Sequence, residues 1–417
     1  MTHAVSSTNT GAAGVQTTSR GASPADGRAK SSRRRWSPLR SWPKPDPPHR
    51  TDDEARLFAM HLESEYQMKK RRHPRPVTLL AILVVALAAC GGGETFSKTG
   101  EGKTKLTIVQ SLKSLGYATM YVAKEKGYFK QEGVQVEFVD APGGSSAVSA
   151  VIGGSAQASA DATQHAVTAL EKGKRMVAFA PLSQQVSLPI VVRTGLWKQL
   201  GLREDMPIEE KIKVLEGRTL GVISPHGENA QVFRYLLSSV GADPDKSTFV
   251  TLNDANGMLG SLKQGRVDAI NIGQPFPAQA VYSGYGRILI DLAQGEYQPL
   301  DGTLDNSVQT TEENLKNNKK AFVGFSRALI KAQDFMYKSP DEAEKLLHEQ
   351  YFPQVPDGIF HDAFQDLYKG EVWPTRLAMS KGGMEKLIDF MRKGGTTVPD
   401  DWQQAYTNEI AKAAGAG

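Results

Sequence analysis

An α/β fold built from two similar halves is predicted by three observations. Short apolar strands alternate with helix-forming stretches from Lys105 to about residue 309. The stretch Pro142 to Val167, PGGSSAVSAVIGGSAQASADATQHAV, reads as a helix, a glycine stop, a strand of small residues and a second helix. A later stretch, ANGMLGSLKQGRVDAINIGQPFPAQAV from Ala255, repeats that scheme, with Gly265 in the place of Gly153. Beyond residue 310 the pattern becomes helical to the end.

At 417 residues the chain is long enough for two or three domains. Its formal charge of +5 is unevenly placed. Residues 1–89 carry 15 Lys and Arg against 7 Asp and Glu, and the rest carry 35 against 38. The basic character therefore belongs to the leader and does not point to nucleic acid as a partner of the folded part. Cys90 is the one cysteine, so no disulfide and no cysteine-based metal site can form within the chain. Eight histidines are scattered without H-E-x-x-H spacing, and no metal or cofactor is expected.

Residues 1–67, rich in Ser, Thr, Gly, Pro and Arg, are too polar to bury a core and read as a disordered basic leader. Lys69, Lys70, Arg71, Arg72 and Arg75 then precede a 13-residue apolar run, Val77 to Ala89, closed by Ala88 and Ala89. That is the layout of a secretory signal over residues 68–89, too short to span a bilayer comfortably. The ending Leu87-Ala88-Ala89-Cys90-Gly91 resembles a bacterial lipoprotein box. This resemblance implies cleavage before Cys90, lipidation of Cys90, anchoring to the membrane, and Met68 as the true start. Residues 90–104 read as a flexible polar tether.

The body begins with the strand LTIVQ, the loop SLKSLG, a helix in YATMYVAKEKGYFKQEG stopped by Gly127, and the strand VQVEFVD. Ser145 and Ser146 are candidate caps for the helix after Pro-Gly-Gly, and Gly153 and Gly154 are candidate left-handed stops. SAQASA reads as a packed strand, and Asp161 or Thr163 as the cap of the next helix. RMVAFAP and SLPIVVR are further strands. The middle region supplies a helix and strand in KIKVLEGRTLGVIS, a helix before Gly241, the strand TFVTL, the repeated stretch and the strand RILIDL. NSVQTT reads as a strand returning to the first half. In KKAFVGFSRALIKAQDFMYKS, Phe322, Phe325, Leu329 and Ile330 share one helical face.

In order and spacing, YVAKEKGYFKQEGVQVEFVDAPGGSSAVSAVIGG, PIVVR, GRTLGVISPHG, FRYLLSSVGADPD, GRVDAINIGQPF and FSRALIKAQ resemble the substrate-binding proteins of nitrate/sulfonate/taurine-type ABC importers, over about residues 105–340. The resemblance implies a two-lobe periplasmic-binding-protein type II fold with two hinge crossings and a C-terminal helical segment. Lobe 1 is then 105–189 plus 310–417, and lobe 2 is 190–309. The crossings fall near Leu188-Pro189 and Asn306 to Val308.

In such a fold the ligand sits in the cleft between lobes, against loops that follow strands. The expected ligand-binding residues are Gln110, Ser111, Lys113, Gly143, Gly144, Ser145, Ser146, Asp161, Thr163 and Gln164 in lobe 1. Ser224, His226, Asn229 and Gln274 are expected in lobe 2. Backbone N–H groups at helix starts suit a sulfonate, a carboxylate or a similar small organic anion. Gln274 stands where family members often carry Glu, and a neutral amide both donates and accepts. Asp161 either caps its helix or faces the cleft; facing the cleft, it favours an amine or an N–H-rich heterocycle. The implied partners are a small-molecule ligand, an ABC permease with its ATPase, and the membrane. The protein is expected as a monomer on the extracytoplasmic face of a bacterial cell. A sensory role docking on a membrane receptor remains open. A pyrimidine-synthase-like enzyme shares the fold, but its cysteine-rich iron motif is missing here, and no nucleophile, base and orienting acid stand at helpful spacing, so no enzyme is expected.

Overall fold

The computed structural model describes residues 96–415, apart from positions 101 and 253. The basic leader, the signal-like segment and Cys90 lie outside those residues. The first lobe opens with strand β1 (Thr104–Gln110), helices α1 (Ala118–Glu125) and α2 (Tyr128–Gln131), and β2 (Val134–Asp140). It continues with α3 (Gly144–Ile152), β3 (Ala158–Ala162), α4 (Gln164–Glu171) and β4 (Met176–Pro181). The second lobe runs through β5 (Ile190–Arg193), α5 (Thr194–Gln199), α6 (Ile208–Lys213), β6 (Thr219–Val222) and α7 (Glu228–Ser239). It closes with β7 (Thr248–Thr251), α8 (Ala255–Lys263), β8 (Ala269–Asn271), α9 (Phe276–Tyr282) and β9 (Gly286–Ile290). Strand β10 (Asn306–Thr311) returns, and the tail is helical: α10 (Glu312–Asn317), α11 (Lys319–Lys338), α12 (Pro340–Tyr351), α13 (Asp357–Lys369), α14 (Lys381–Lys393) and α15 (Glu409–Ala414).

Each lobe has its own five-stranded sheet, ordered β2-β1-β3-β10-β4 and β7-β6-β8-β5-β9. In the first, β1 runs parallel to β2 and β3, and β10 runs antiparallel to β3 and β4. The second repeats this, with β6 parallel to β7 and β8 and with β5 antiparallel to β8 and β9. The fourth place in each sheet is thus taken by the strand that arrives from the other lobe. This is the structural form of the repeat seen in the sequence.

The two crossings, residues 182–189 and 291–305, are tied to each other. Gln185 Nε2 donates to the carbonyls of Leu292 and Ala293, at 2.8 and 2.9 Å. Leu182 N and Ser183 N both donate to Asn306 O. Strand β10 lies wholly in the first sheet, so residues 306–309, expected at the end of lobe 2, belong to lobe 1. The return crossing is the longer segment before Asn306.

Packing explains the strand composition. β3, ASADA, is buried throughout, and its small side chains let the neighbouring strands and helices approach closely. Helix α11 buries Phe322, Phe325 and Leu329, as its periodicity predicts. Phe325 stacks on Phe129 with centroids 4.8 Å apart, and Phe322 meets the edge of Phe179 at 5.1 Å. At Gly324 a Cβ would lie 2.5 Å from the Glu132 carbonyl oxygen, so only glycine lets α11 sit this close to the end of α2.

Several expectations are corrected. The tether's distal part is ordered: Phe96 packs edge-on against Phe322, and Lys98 bridges Thr104. Helix α3 begins at Gly144 with Gly143 at its N-cap, so Ser145 and Ser146 lie inside the helix and cap nothing. Ser146 Oγ instead donates back to the Pro142 carbonyl. Gly154, at φ +79°, supplies the left-handed stop, and Gly153 stays helical. Asp161 belongs to β3, and Thr163 precedes α4 without a side-chain capping bond. The tail is shared between lobes. Gln231 of α7 donates to the carbonyls of Phe390 and Met391 in α14, and Tyr235 packs on Phe390 at 5.2 Å.

Candidate functional site

A cleft of about 190 Å³ lies between the lobes. Its first-lobe wall comes from the loops after β1, β2 and β3, and its second-lobe wall from the loops after β6 and β8. Ser187 and Leu188 of the first crossing and Asn306 after the second also line it. The walls touch: Leu115 N donates to the Gln274 carbonyl at 2.9 Å, and a Cβ at Gly143 would reach Ile223 at 3.5 Å.

Ser111, Gly143, Gly144, Ser145, Ser146, Ser224 and Asn229 stand at the cleft wall. The Asn229 amide is already engaged, in a reciprocal pair. Its Nδ2 donates to Asn271 O at 2.6 Å, and Asn271 Nδ2 donates to Asn229 O at 2.9 Å. That pair locks the end of β8 to the start of α7.

The other expected residues are drawn into the protein or outward. Gln110 Nε2 donates to Asp140 and its Oε1 accepts from Tyr121. The Lys113 ammonium lies 5.5 Å from the ring centroids of both Tyr351 and Phe352. Thr163 Oγ1 donates to Ser307 Oγ at 2.9 Å, and Gln164 is buried. His226 is exposed. Gln274 Nε2 donates to Asp366, and Gln274 is joined to Pro275 by a cis peptide bond. Asp161 is fully buried; Gln309 Nε2 donates to its Oδ1 at 2.8 Å, and His165 Nδ1 stands 3.1 Å from the same oxygen.

Four groups at or behind the wall were not anticipated: His165, Tyr117, Glu228 and the Asp305–Asn306 pair. His165 is 8% exposed, and its Nε2 has no partner among the described residues. The ring lies against Gly144, where a Cβ would come 2.1 Å from Cε1 and 2.4 Å from Nδ1. The glycine is therefore required by the histidine.

Tyr117, Asn306 and Asp305 form a relay. Ser111 Oγ and Tyr117 Oη are 2.7 Å apart, and Tyr117 Oη donates to Asn306 Oδ1 at 3.3 Å. Asn306 Nδ2 donates to Asp305 Oδ2 at 2.7 Å, and Ser183 Oγ donates to the same oxygen at 3.1 Å. Burial pushes the Tyr117 phenol well above its ordinary range, so it stays neutral. Glu228, the first residue of α7, keeps part of its surface in the cleft, while its carboxyl is packed among protein atoms and hydrogen-bonded to that of Asp305. Burial first, then the Asp305 charge, raises Glu228 well above the usual carboxylate range; burial raises Asp305 as well.

No Lys or Arg lines the cleft among the described residues. Its fixed positive character comes from helix starts: α3 and α7 both open on a glycine N-cap with no side-chain cap. Among the described residues no group of His, Cys, Asp and Glu is placed to hold a metal.

Residues 115–343 match the family model described as NMT1/THI5 like. A relative named putative binding protein YtlA, from Bacillus subtilis, is 24% identical over 341 residues, spanning 79% of this chain and 93% of the relative. A solved protein from Bordetella bronchiseptica superposes with TM-score 0.64 at 23% identity, covering 74% of this chain and 96% of that one. The periplasmic nitrate-binding protein NrtA from Synechocystis superposes with TM-score 0.59 at 16% identity, covering 75% and 88%. This chain belongs to the NMT1/THI5-like family and carries the two-lobed periplasmic-binding-protein fold.

Proposed function

We propose that the protein is a lipid-anchored, extracytoplasmic solute-binding protein that hands a small polar molecule to an ABC permease and its ATPase. The observation that carries this reading is the cleft itself: loops from both lobes, the first crossing and the start of β10 converge on one hollow. A solute held there contacts both lobes and so favours the closed arrangement. The names of the relatives agree, since YtlA and NrtA are both described as binding proteins. The volume, about 190 Å³, lies below the usual range for drug-sized ligands, so the solute is small.

Thermal unfolding of the full chain with a panel of small sulfonates, carboxylates, amines and pyrimidines tests the capture step. A true ligand at about 100 times its Kd adds roughly 2.7 kcal/mol of stability. No stabilisation by any of these classes, with no solute co-purifying, contradicts the reading.

The anchor is a separate proposal, resting on Cys90 after Leu87-Ala88-Ala89. Among the described residues no helix is long and apolar enough to cross a membrane. Two or more acyl chains on Cys90 would hold the protein stably at the surface. Expressed in a bacterium fed an alkyne-tagged fatty acid, the protein should take up label and sediment with membranes. Cys90→Ser should lose both properties; label retained in that variant rules out the anchor.

A further inference from the structure

We infer that Asp366 is a latch between the lobes: its carboxylate holds the second lobe, through Gln274, and the return crossing, through Gln294, to helix α13 of the first lobe. The inference rests on the solute-capture reading, because it names what holds the closed arrangement before a solute arrives.

Helix α13 belongs to the first lobe by its packing. Phe360, Phe364 and Leu367 lie in one buried cluster with Leu106 and Ile108 of β1. Gln274 follows β8, in the second sheet. Its Nε2 donates to Asp366 Oδ2 at 2.9 Å, which makes this a bond from one lobe to the other. The second carboxylate oxygen, Oδ1, accepts from Gln294 Nε2 at 2.9 Å. The same amide donates to the Asp366 carbonyl at 2.6 Å. One carboxylate therefore gathers a donor from the second lobe and a donor from the hinge.

The Gln274 side chain is held in one orientation. It is 3% exposed, and its Oε1 accepts from Ala278 N at 3.3 Å, so Nε2 is the end turned to Asp366. A hydrogen bond to an ionised acceptor is stronger than a neutral one, and burial keeps water from competing for it. Gly273, the preceding residue, lines the cleft and sits against Ser114, where a Cβ would lie 3.4 Å from the serine Cβ. A hinge opening that separates these two also draws Gln274 off Asp366. At the end of α13, a Cβ on Gly370 would lie 2.1 Å from the Ala293 carbonyl oxygen, so the return crossing sits directly on the helix. Asp291 of that crossing also faces Asp366. Burial, then the Asp366 charge, raise its carboxyl to about 7, so at pH 6 it is mostly neutral and does not repel Asp366.

The test uses the full chain with Cys90→Ser and spin labels at Ser149→Cys and His226→Cys, on α3 and on the loop after β6. The distribution of distances between the labels is read at pH 6 without solute. Asp366→Asn leaves one acceptor oxygen to serve two amide donors, and should lower the ratio of closed to open chains about tenfold or more. Adding Gln274→Glu to Asp366→Asn exchanges donor and acceptor, and should return the ratio to within about threefold of the parent. A side chain that merely supports the fold would not be rescued by that exchange. An unchanged ratio in Asp366→Asn overturns the inference, and so does a double variant as open as the single one. A parent chain that is open throughout overturns it too. Should Asp366→Asn fail to fold, Gln274→Leu removes the donor alone and should lower the same ratio; no change there overturns the inference. None of these outcomes involves a solute, so each leaves the thermal panel above to decide capture.

Discussion

Replacing Trp373 by Ala is expected to cost about 3–5 kcal/mol of unfolding free energy. Trp373 has no exposed surface and is the largest of the fully buried side chains. Its ring packs on Phe364 with centroids 5.1 Å apart, and its Nε1–H donates to the Leu115 carbonyl at 2.9 Å. The substitution opens a cavity and removes one of the two donors to the Leu115 carbonyl, which keeps the Ala118 N–H. The damage should reach the site, because Leu115 N is the group that bonds across to Gln274. Urea unfolding measures the loss. Trp373→Phe separates the causes: it keeps most of the volume and removes the donor, so it should cost clearly less than the alanine change. Equal costs for the two would mean that the hydrogen bond, not the packing, dominates.

Gly144→Val should abolish solute capture, weakening it by about 100-fold or more, while destabilising the fold by roughly 1–3 kcal/mol through overpacking. The added Cβ would lie 2.1 Å from His165 Cε1. The ring cannot retreat freely, since Asp161 holds Nδ1 and the surroundings are filled. Adding His165→Ala should recover most of the lost stability, because the two positions touch and their effects are not additive. It should not recover binding. Calorimetry with the stabilising solute, beside urea unfolding of the single and double variants, measures both. Full stability recovery by a distant substitution instead would contradict the contact.

The architecture was legible because it is written in local pattern. Strand-helix alternation and the repeat around Gly153 and Gly265 follow from which residues can be buried together. The helical face of Phe322, Phe325 and Leu329 reads directly from spacing. The boundaries were less legible. Asn306 marks the return to lobe 1, but the longer passage before it carries no periodic signal to mark that boundary. The placement of α14 on α7 depends on Gln231 and Tyr235 meeting a tail segment about 160 residues away, which no local pattern records.

At the site, the loops were legible and the side-chain partners were not. Serines and glycines after strands were expected and line the cleft, since strand ends dictate loop positions. Asp161 and Gln274 have the residue types of ligand contacts, yet each meets a partner from elsewhere in the chain, Gln309 and Asp366. His165 had a faint signal, standing four residues after Asp161 with glycines upstream. Glu228, two residues after His226, carries no local signal. Its character arises only when the return crossing brings Asp305 to it, 77 positions away in sequence.

The most direct measurement is a crystal structure of the full chain with the solute that stabilises it. Density for that molecule between Gly144 and Glu228, touching both lobes, is the predicted result. The same solute bound elsewhere, for instance in the hollow between Arg175, Lys316 and Tyr406 on the first lobe, with the interlobe cleft holding water alone, would contradict it.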